Sequence, residues 1–327
     1  MRLKKNKTPK ETRTKQTNTR INRFPNSKMA IILYLIVGYL ILLLVTPKGN
    51  NLHEILHVPV FWFRNLIVPK NNLIIQKIKF GKHRQQYFLF YKPKNNIPLK
   101  KHAIVYFHGG GWMAGTPGML KAAGQLFANN GFVSIFSNYR KAPFNSYPEM
   151  REDITNCLKK LKQYLKEENL EIDKFLIGGM SAGANLAALL AYDDQELKKA
   201  DIFPEQIRGI FLSGSPVDIN QMKWSIPLYF YAGNKNGEKF KKANPINYLI
   251  KPETRPILLI HGNKDGLVPY RNTFTFLEKL KSINPKLAKL HYIEGGTHMD
   301  TASWSYEDNE IRKVILEWLT ERETEIN

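Results

Sequence analysis

Cysteine is almost missing from this chain: Cys157 is the only one in 327 residues, so no intrachain disulfide can form. It falls in the amphipathic run ITNCLKKLKQYL as a small core residue, and no His/Asp constellation accompanies it of the kind a thiol mechanism needs. Zinc-finger spacing is absent, as is an aromatic RNA-binding signature. Beyond the N-terminus there is no dense cluster of Lys and Arg. The net charge of +21 therefore reads as a Lys-rich solvated surface, with no nucleic-acid partner. The chain has no internal repeat. Its triple glycine at 109–111 is not followed by GK[ST], which excludes a phosphate-binding P-loop.

Charge is unevenly spread. Residues 1–28 hold ten Lys or Arg against the single acid Glu11. The run MAIILYLIVGYLILLLV at 29–45 follows, uncharged, and as a helix spans about 26 Å, near the lower limit for crossing a bilayer. It has the length of a signal-peptide core as well, and secretion after cleavage is the alternative. The long basic stretch before it and the lack of an A-x-A site after it favour a retained anchor. No Cys follows the run, which argues against a bacterial lipoprotein. Six Lys or Arg lie in residues 9–28, but only Lys48 and Arg64 in residues 46–65. The positive side stays inside, so the expectation is a cytoplasmic N-terminus and an extracytoplasmic or lumenal C-terminal domain. The division expected is 1–28 basic cytoplasmic tail, 29–45 transmembrane anchor, 46–72 linker or covering segment, and 73–327 a single α/β domain. Within the third of these, Glu54, Pro59 and Arg64 break LHEILHVPVFWFRNLIV, so it does not read as a second span. Its Phe61-Trp62-Phe63 cluster is read as packing on the domain, with a membrane-interface role as the alternative.

The residues after the anchor number roughly 280, enough for one large domain. Strand-like runs at 73–81 and 86–93 suggest a hairpin. Further strands read at 103–107, 132–139, 175–179, 207–215, 255–262 and 289–296. Helices read at 117–130, 149–170, 181–192, 270–283 and 306–322. Strands alternating with helices imply an α/β fold with a mostly parallel sheet covered on both faces. Its chemistry belongs at the carboxyl ends of the strands.

Every chemical motif falls at such an end. Gly179-Met180-Ser181-Ala182-Gly183 fits G-x-S-x-G between a strand and a helix, presenting Ser181 as a nucleophile. The bare five-letter pattern is weak, and Ser181 as an ordinary helix N-cap is the bland alternative; the strand–helix context supplies the specificity. His108-Gly109-Gly110-Gly111-Trp112 follows strand 103–107. Its glycine amides, Gly110 first with Gly109 or Gly111 beside it, suit an oxyanion, as does the amide of Ala182. His108 reads as organising that loop by hydrogen bonding. Asp265 in IHGNKDGLVP and His298 in GGTHMD complete the order nucleophile, acid, base. Asp218 is the main competitor for the acid. His261 and His291 read as core or surface strand residues, and Asp300 and Glu294 as weaker candidates.

HGGGW, NYRKAP (138–143) with Tyr147-Pro148, EIDKFLIGGMSAGANLA (171–187), HGNKDGLVP and GGTH resemble, in order over residues 100–320, the α/β-hydrolases of the hormone-sensitive-lipase-like esterase type, near carboxylesterases and steryl acetyl hydrolases. The resemblance implies the roles of nucleophile, acid and base for Ser181, Asp265 and His298. Met180 stands where many relatives carry Asp or Glu, Ala184 where a glycine is common, and residues 216–243 leave room for only a small lid. The function expected is hydrolysis of a carboxylic ester, lipid-like or acetylated, through an acyl-enzyme on Ser181, with no cofactor and no metal. The competing readings are a peptidase of the same fold, which usually needs an added cap or propeller, and a catalytically inactive binding or adhesion domain.

Overall fold

The structure is a computed structural model that describes residues 27–69, 73–94, 97–250 and 253–324; the basic tail expected at 1–28 lies almost wholly outside them. Two compact units divide at Leu44 and Val45.

The first unit contributes one described helix, α1 (Ser27–Val45). Its stretch Lys28–Val45 has a mean hydropathy of 2.6 and no buried residue. Its 19 residues reach about 28 Å, long and apolar enough to cross a bilayer.

The second unit opens with α2 (Asn51–Ile67), whose Asn50 cap accepts the Leu52 amide at 2.8 Å. The segment expected as a linker or cover is thus a helix belonging to the second unit. His53, Glu54, Phe61 and Asn65 fall on one buried face, while Leu52, Ile55, Phe63, Leu66 and Ile67 remain exposed.

The elements that follow are β1 (Leu73–Lys79), β2 (Tyr87–Pro93), β3 (His102–Phe107), α3 (Lys121–Asn129), β4 (Ser134–Ser137), α4 (Tyr147–Glu167), β5 (Lys174–Met180), α5 (Ala182–Tyr192), α6 (Asp194–Lys199) and β6 (Ile207–Ser213). After them come α7 (Ile226–Ala232), α8 (Glu238–Lys242), β7 (Ile257–Gly262), α9 (Arg271–Ile283), β8 (Ala288–Ile293) and α10 (Glu310–Thr324). The strands form one sheet in the order β1-β2-β4-β3-β5-β6-β7-β8. The β1–β2 and β2–β4 pairs are antiparallel and the rest parallel.

The central strands are covered on both sides, so they read as unbroken apolar runs. Along β3, Ala103, Val105 and Phe107 face one core with α4 and α5, and Ile104 and Tyr106 face a second core with α3 and α10. Cys157 is buried in the first. Burial pushes its thiol up to about 12, so it does not ionise to a nucleophile.

Element ends differ from the sequence reading in two informative places. The helix expected from 117 opens as a 3-10 turn, Pro117–Leu120. The strand expected over 132–139 is shorter, because beyond Ser137 the chain turns so that Tyr139 stacks on His108 with ring centroids 4.6 Å apart. Its hydroxyl donates to the His108 carbonyl at 3.0 Å.

Candidate active site

β5 ends at Met180 and α5 begins at Ala182, leaving Ser181 alone at the turn with φ 56° and ψ −126°. A non-glycine residue held there costs about 1–3 kcal/mol, so the surroundings must fix it. The Ser181 amide donates to the Ser213 carbonyl at 2.8 Å, and the Ser181 carbonyl accepts from Ala184 at 2.9 Å. The turn also needs the helix pressed against β3: a Cβ at Gly183 would lie 2.1 Å from the Phe107 carbonyl oxygen, which only glycine avoids. The motif glycine thus sets how deep the nucleophile turn sits.

The loop after β3 lies beside it. A Cβ at Gly109 would come within 3.1 Å of the Ser181 Cβ. Gly110 and Gly111 adopt φ of 125° and 58°, and among the described residues no backbone carbonyl takes either amide. Ala182 opens α5, so its amide lacks a carbonyl one turn earlier. His108 is locked in place, with Nδ1 2.7 Å from the Gly109 carbonyl and Nε2 3.1 Å from the Asn138 side chain. Burial, followed by the nearby Lys141 ammonium, lowers its pKa to about 3, which keeps it neutral. Trp112 closes the motif by stacking on Tyr231 of α7 at 4.4 Å, and Tyr231 donates to Asn185 of α5 at 2.7 Å. The segment expected to hold a small lid therefore braces the glycine loop.

Asp265 and His298 meet. His298 Nδ1 lies 2.6 Å from Asp265 Oδ2, and both side chains are buried. The other oxygen, Oδ1, accepts the Leu267 and Val268 amides at 2.9 and 2.7 Å. His261, read as a strand residue, puts Nε2 3.3 Å from Asp265 Oδ2 and also contacts Thr273 and the Val268 carbonyl. Burial pushes the Asp265 carboxyl upward, but His298 and His261 overrule it and hold it well below the usual carboxylate range. Burial likewise lowers His298, yet the Asp265 charge, its hydrogen bond and the Glu54 charge together raise the imidazole above 6.5. An ionised Asp265 fixes the His298 proton on Nδ1 and leaves Nε2 as the basic nitrogen.

Ser181 and His298 line one cavity of about 240 Å³ with no hydrogen bond between them. In unliganded hydrolases that contact is often long and tightens with substrate. His108, Gly109, Gly110 and Gly111 share the cavity. Its apolar wall is Val58, Phe61 and Trp62 of α2 with Met119, Leu120, Met180, Leu267 and Met299. The competing acids lie elsewhere in hydrogen-bond terms. Asp218 accepts from Thr275, Asn220 and Gln221, and Glu294 from Asn263. Asp300 accepts the Thr297 amide, and His291 pairs in β8 with Ile260 of β7. Among the described residues no group of three or more His, Cys, Asp or Glu is arranged to hold a metal ion.

Three features went unread in the sequence. The α2 wall had only the Phe61-Trp62-Phe63 cluster as a signal. Phe61 packs edge-on against Tyr306 at 5.6 Å, whereas Trp62 is 39% and Phe63 63% exposed, so the cluster both packs and faces outward. Gly214 makes room for the His298 ring: a Cβ there would lie 2.8 Å from the His298 Cε1. Glu54, on α2, is wholly buried at the base loop.

Residues 89–280, more than half of the chain, match the BD-FAE family model. The isoprenylcysteine alpha-carbonyl methylesterase ICME of Arabidopsis thaliana is 27% identical over 242 residues, covering 69% of this chain and 56% of that protein. The probable carboxylic ester hydrolase LipM of Mycobacterium tuberculosis is 23% identical over 223 residues, covering 63% and 52%. This chain thus spans about half the length of the curated relatives it matches. Among solved structures, esterase B of Lactobacillus rhamnosis inhibited by a C4-C4 tributyrin phosphonate superposes with a TM-score of 0.68 at 17% identity, covering 91% of this chain and 96% of that one. At that identity the shared feature is the fold, which is that of the α/β-hydrolases.

Proposed function

The chain belongs to the BD-FAE family, and from that premise we propose that it is a carboxylic-ester hydrolase working through an acyl-enzyme on Ser181. One observation carries the reading: a strained Ser181 and a His298 hydrogen-bonded to the buried Asp265 open onto the same cavity as the glycine loop. In the proposed reaction Ser181 Oγ attacks the ester carbonyl carbon, and its proton passes to His298 Nε2. Asp265 stabilises the imidazolium. The oxyanion lies against the amides of Gly110, Ala182 and a neighbouring glycine, donors worth about 3–4 kcal/mol each in such sites. Collapse breaks the ester bond, and His298 gives its proton to the departing alcohol. Water then repeats the sequence on the acyl-enzyme and frees the acid.

The cavity favours a small acyl group. Its volume of about 240 Å³ is below the roughly 300–1,000 Å³ usual for sites that enclose a drug-sized ligand. Acetyl to hexanoyl groups fit that space, in keeping with acetylated or short-chain lipid-like esters. A fluorophosphonate probe together with p-nitrophenyl esters from acetyl to palmitoyl tests this. Wild type is expected to label and to turn over the short esters fastest, and Ser181→Ala to lose both. A folded wild type that neither labels nor turns over any ester is instead a binding domain.

The setting proposed is a membrane surface, with α1 retained as an anchor, the N-terminus cytoplasmic and the catalytic unit outside or in a lumen. Six basic residues at 9–28 against Lys48 and Arg64 support that direction. The exposed Leu52, Ile55, Phe63, Leu66 and Ile67 of α2, which follows α1 after five intervening residues, support the membrane setting itself. Protease added to intact cells should digest the catalytic unit. Protection of that unit reverses the topology, and its release into the medium identifies α1 as a cleaved signal.

A further inference from the structure

We propose that Glu54 is a positioning residue for the hydrolytic centre, a carboxylate delivered by α2 that ties the loop carrying Asp265 to the loop carrying His298. Its Oε1 accepts the Gly266 amide at 3.0 Å and the His298 amide at 2.8 Å. Its Oε2 lies 3.4 Å from the Met299 amide. Gly266 follows the acid directly, and the other two amides belong to the base and the residue after it. One side chain therefore spans both halves of the dyad, from a helix more than 200 residues away in sequence.

Its environment suits this role better than a merely structural one. Glu54 is 0% exposed, and among the described residues no Lys or Arg forms an ion pair with it. A buried carboxylate without a cation is costly unless hydrogen bonds satisfy it. Here the satisfying groups are amides of the catalytic loops. The fit is close: a Cβ at Gly266 would lie 2.7 Å from the Asn50 carbonyl oxygen, so the acid loop presses directly on the start of α2. The same helix supplies Val58, Phe61 and Trp62 to the cavity wall. Docking of α2 thus completes the wall and braces the dyad together.

The negative charge has a second consequence. The His298 ring has Asp265 as its nearest anion, with His261 behind that carboxylate; Lys264 lies on the acid loop, Asp300 on the base loop, and His53 and His57 on α2. Glu54 adds to the field that favours the protonated ring. Removing its charge makes His298 a weaker base, neutral to lower pH.

The proposal rests on the assignment of Ser181, Asp265 and His298 given above, so the test uses the full chain with Ser181→Ala and His298→Ala in parallel. On p-nitrophenyl acetate, Glu54→Ala is expected to lower kcat about 100-fold with KM within about twofold, the scale of a small misplacement of catalytic groups. Glu54→Gln keeps one accepting oxygen and loses the charge. It should lower kcat about tenfold and move the acid limb of kcat/KM to lower pH. Circular dichroism and Tm establish folding for each variant. If Glu54→Ala does not fold, Glu54→Gln decides. Folded Glu54 variants with wild-type kcat and an unmoved limb overturn the proposal, as does failure of both to fold, which assigns the carboxylate to stability alone. Turnover retained by Ser181→Ala or His298→Ala overturns the triad assignment and Glu54's role with it. Inactive triad variants beside normal Glu54 variants remove only the role of Glu54.

Discussion

The two sides of the cavity beside Ser181 are built from different materials. On one side lie the ends of β3 and β5, where Gly109, Gly110 and Gly111 line the cavity beside Ser181. On the other side lies α2, which presents the side chains of Val58, Phe61 and Trp62. The backbone side is held by the central sheet and by the stacking of Trp112 on Tyr231. The side-chain side belongs to a helix outside the sheet, whose far face is exposed. Backbone amides aimed at one point suit a charge that develops in every ester, whatever its acyl group. Apolar side chains instead discriminate by volume. On the proposed reading the difference separates two tasks: the sheet-end groups act in the chemical step, and the α2 wall selects which acyl chains reach it, while Glu54 of the same helix braces the His298–Asp265 pair.

The largest expected effect comes from the sheet side. Asp265→Asn should retain the fold, because an amide oxygen can still accept the Leu267 and Val268 amides now held by Oδ1. Its nitrogen would then face His298 Nδ1 and donate to it, moving the ring proton to Nε2, where it blocks proton removal from Ser181. A loss in kcat of about 10⁴-fold follows, equal across acyl chains. In wild type the acid limb of kcat/KM should lie above pH 6.5, because the base must be neutral and its folded-state pKa is raised from that value. A limb below 6.5, or an Asp265→Asn enzyme within tenfold of wild type, would break the separation, since the dyad would not then control the rate.

How much of this was legible follows the same division. The strained turn at Ser181, the glycine loop and the loops of Asp265 and His298 were readable because each is a local backbone device, with its glycines and turn residues adjacent in sequence. The order and type of the strands were readable for the same reason, since buried parallel strands such as HAIVYF carry their own signature. Glu54 was not readable. A Glu in the first turn of an amphipathic helix looks like a dipole partner at the surface, and its partners Gly266 and His298 lie 212 and 244 positions away. The role of Gly214 was hidden likewise, because the group it accommodates is the His298 ring, delivered from another strand. His261 sits in a fully buried strand, where a satisfied core histidine is the ordinary reading; its contact with Asp265 depends on how the following turn folds back.

A smaller effect, but the sharper test of the comparison, is expected at Trp62. The residue lines the cavity and is 39% exposed, so its indole stands at the rim rather than in the core. Trp62→Ala removes wall volume without touching the His298–Asp265 pair or the glycine loop. Kinetics across p-nitrophenyl esters should show acetate turnover within about twofold of wild type and a relative gain of about tenfold for octanoate, the low end of what one or two methylenes are worth in an apolar pocket. The pH profile should not move, because no charge near His298 changes. A uniform loss across all chain lengths would mean that α2 acts on the dyad alone, through Glu54, and that the two sides of the cavity are not separate in function. A gain confined to long chains, with the acid limb in place, would mean that α2 carries two independent tasks: a wall that selects the acyl group at Trp62 and a brace that holds His298 at Glu54.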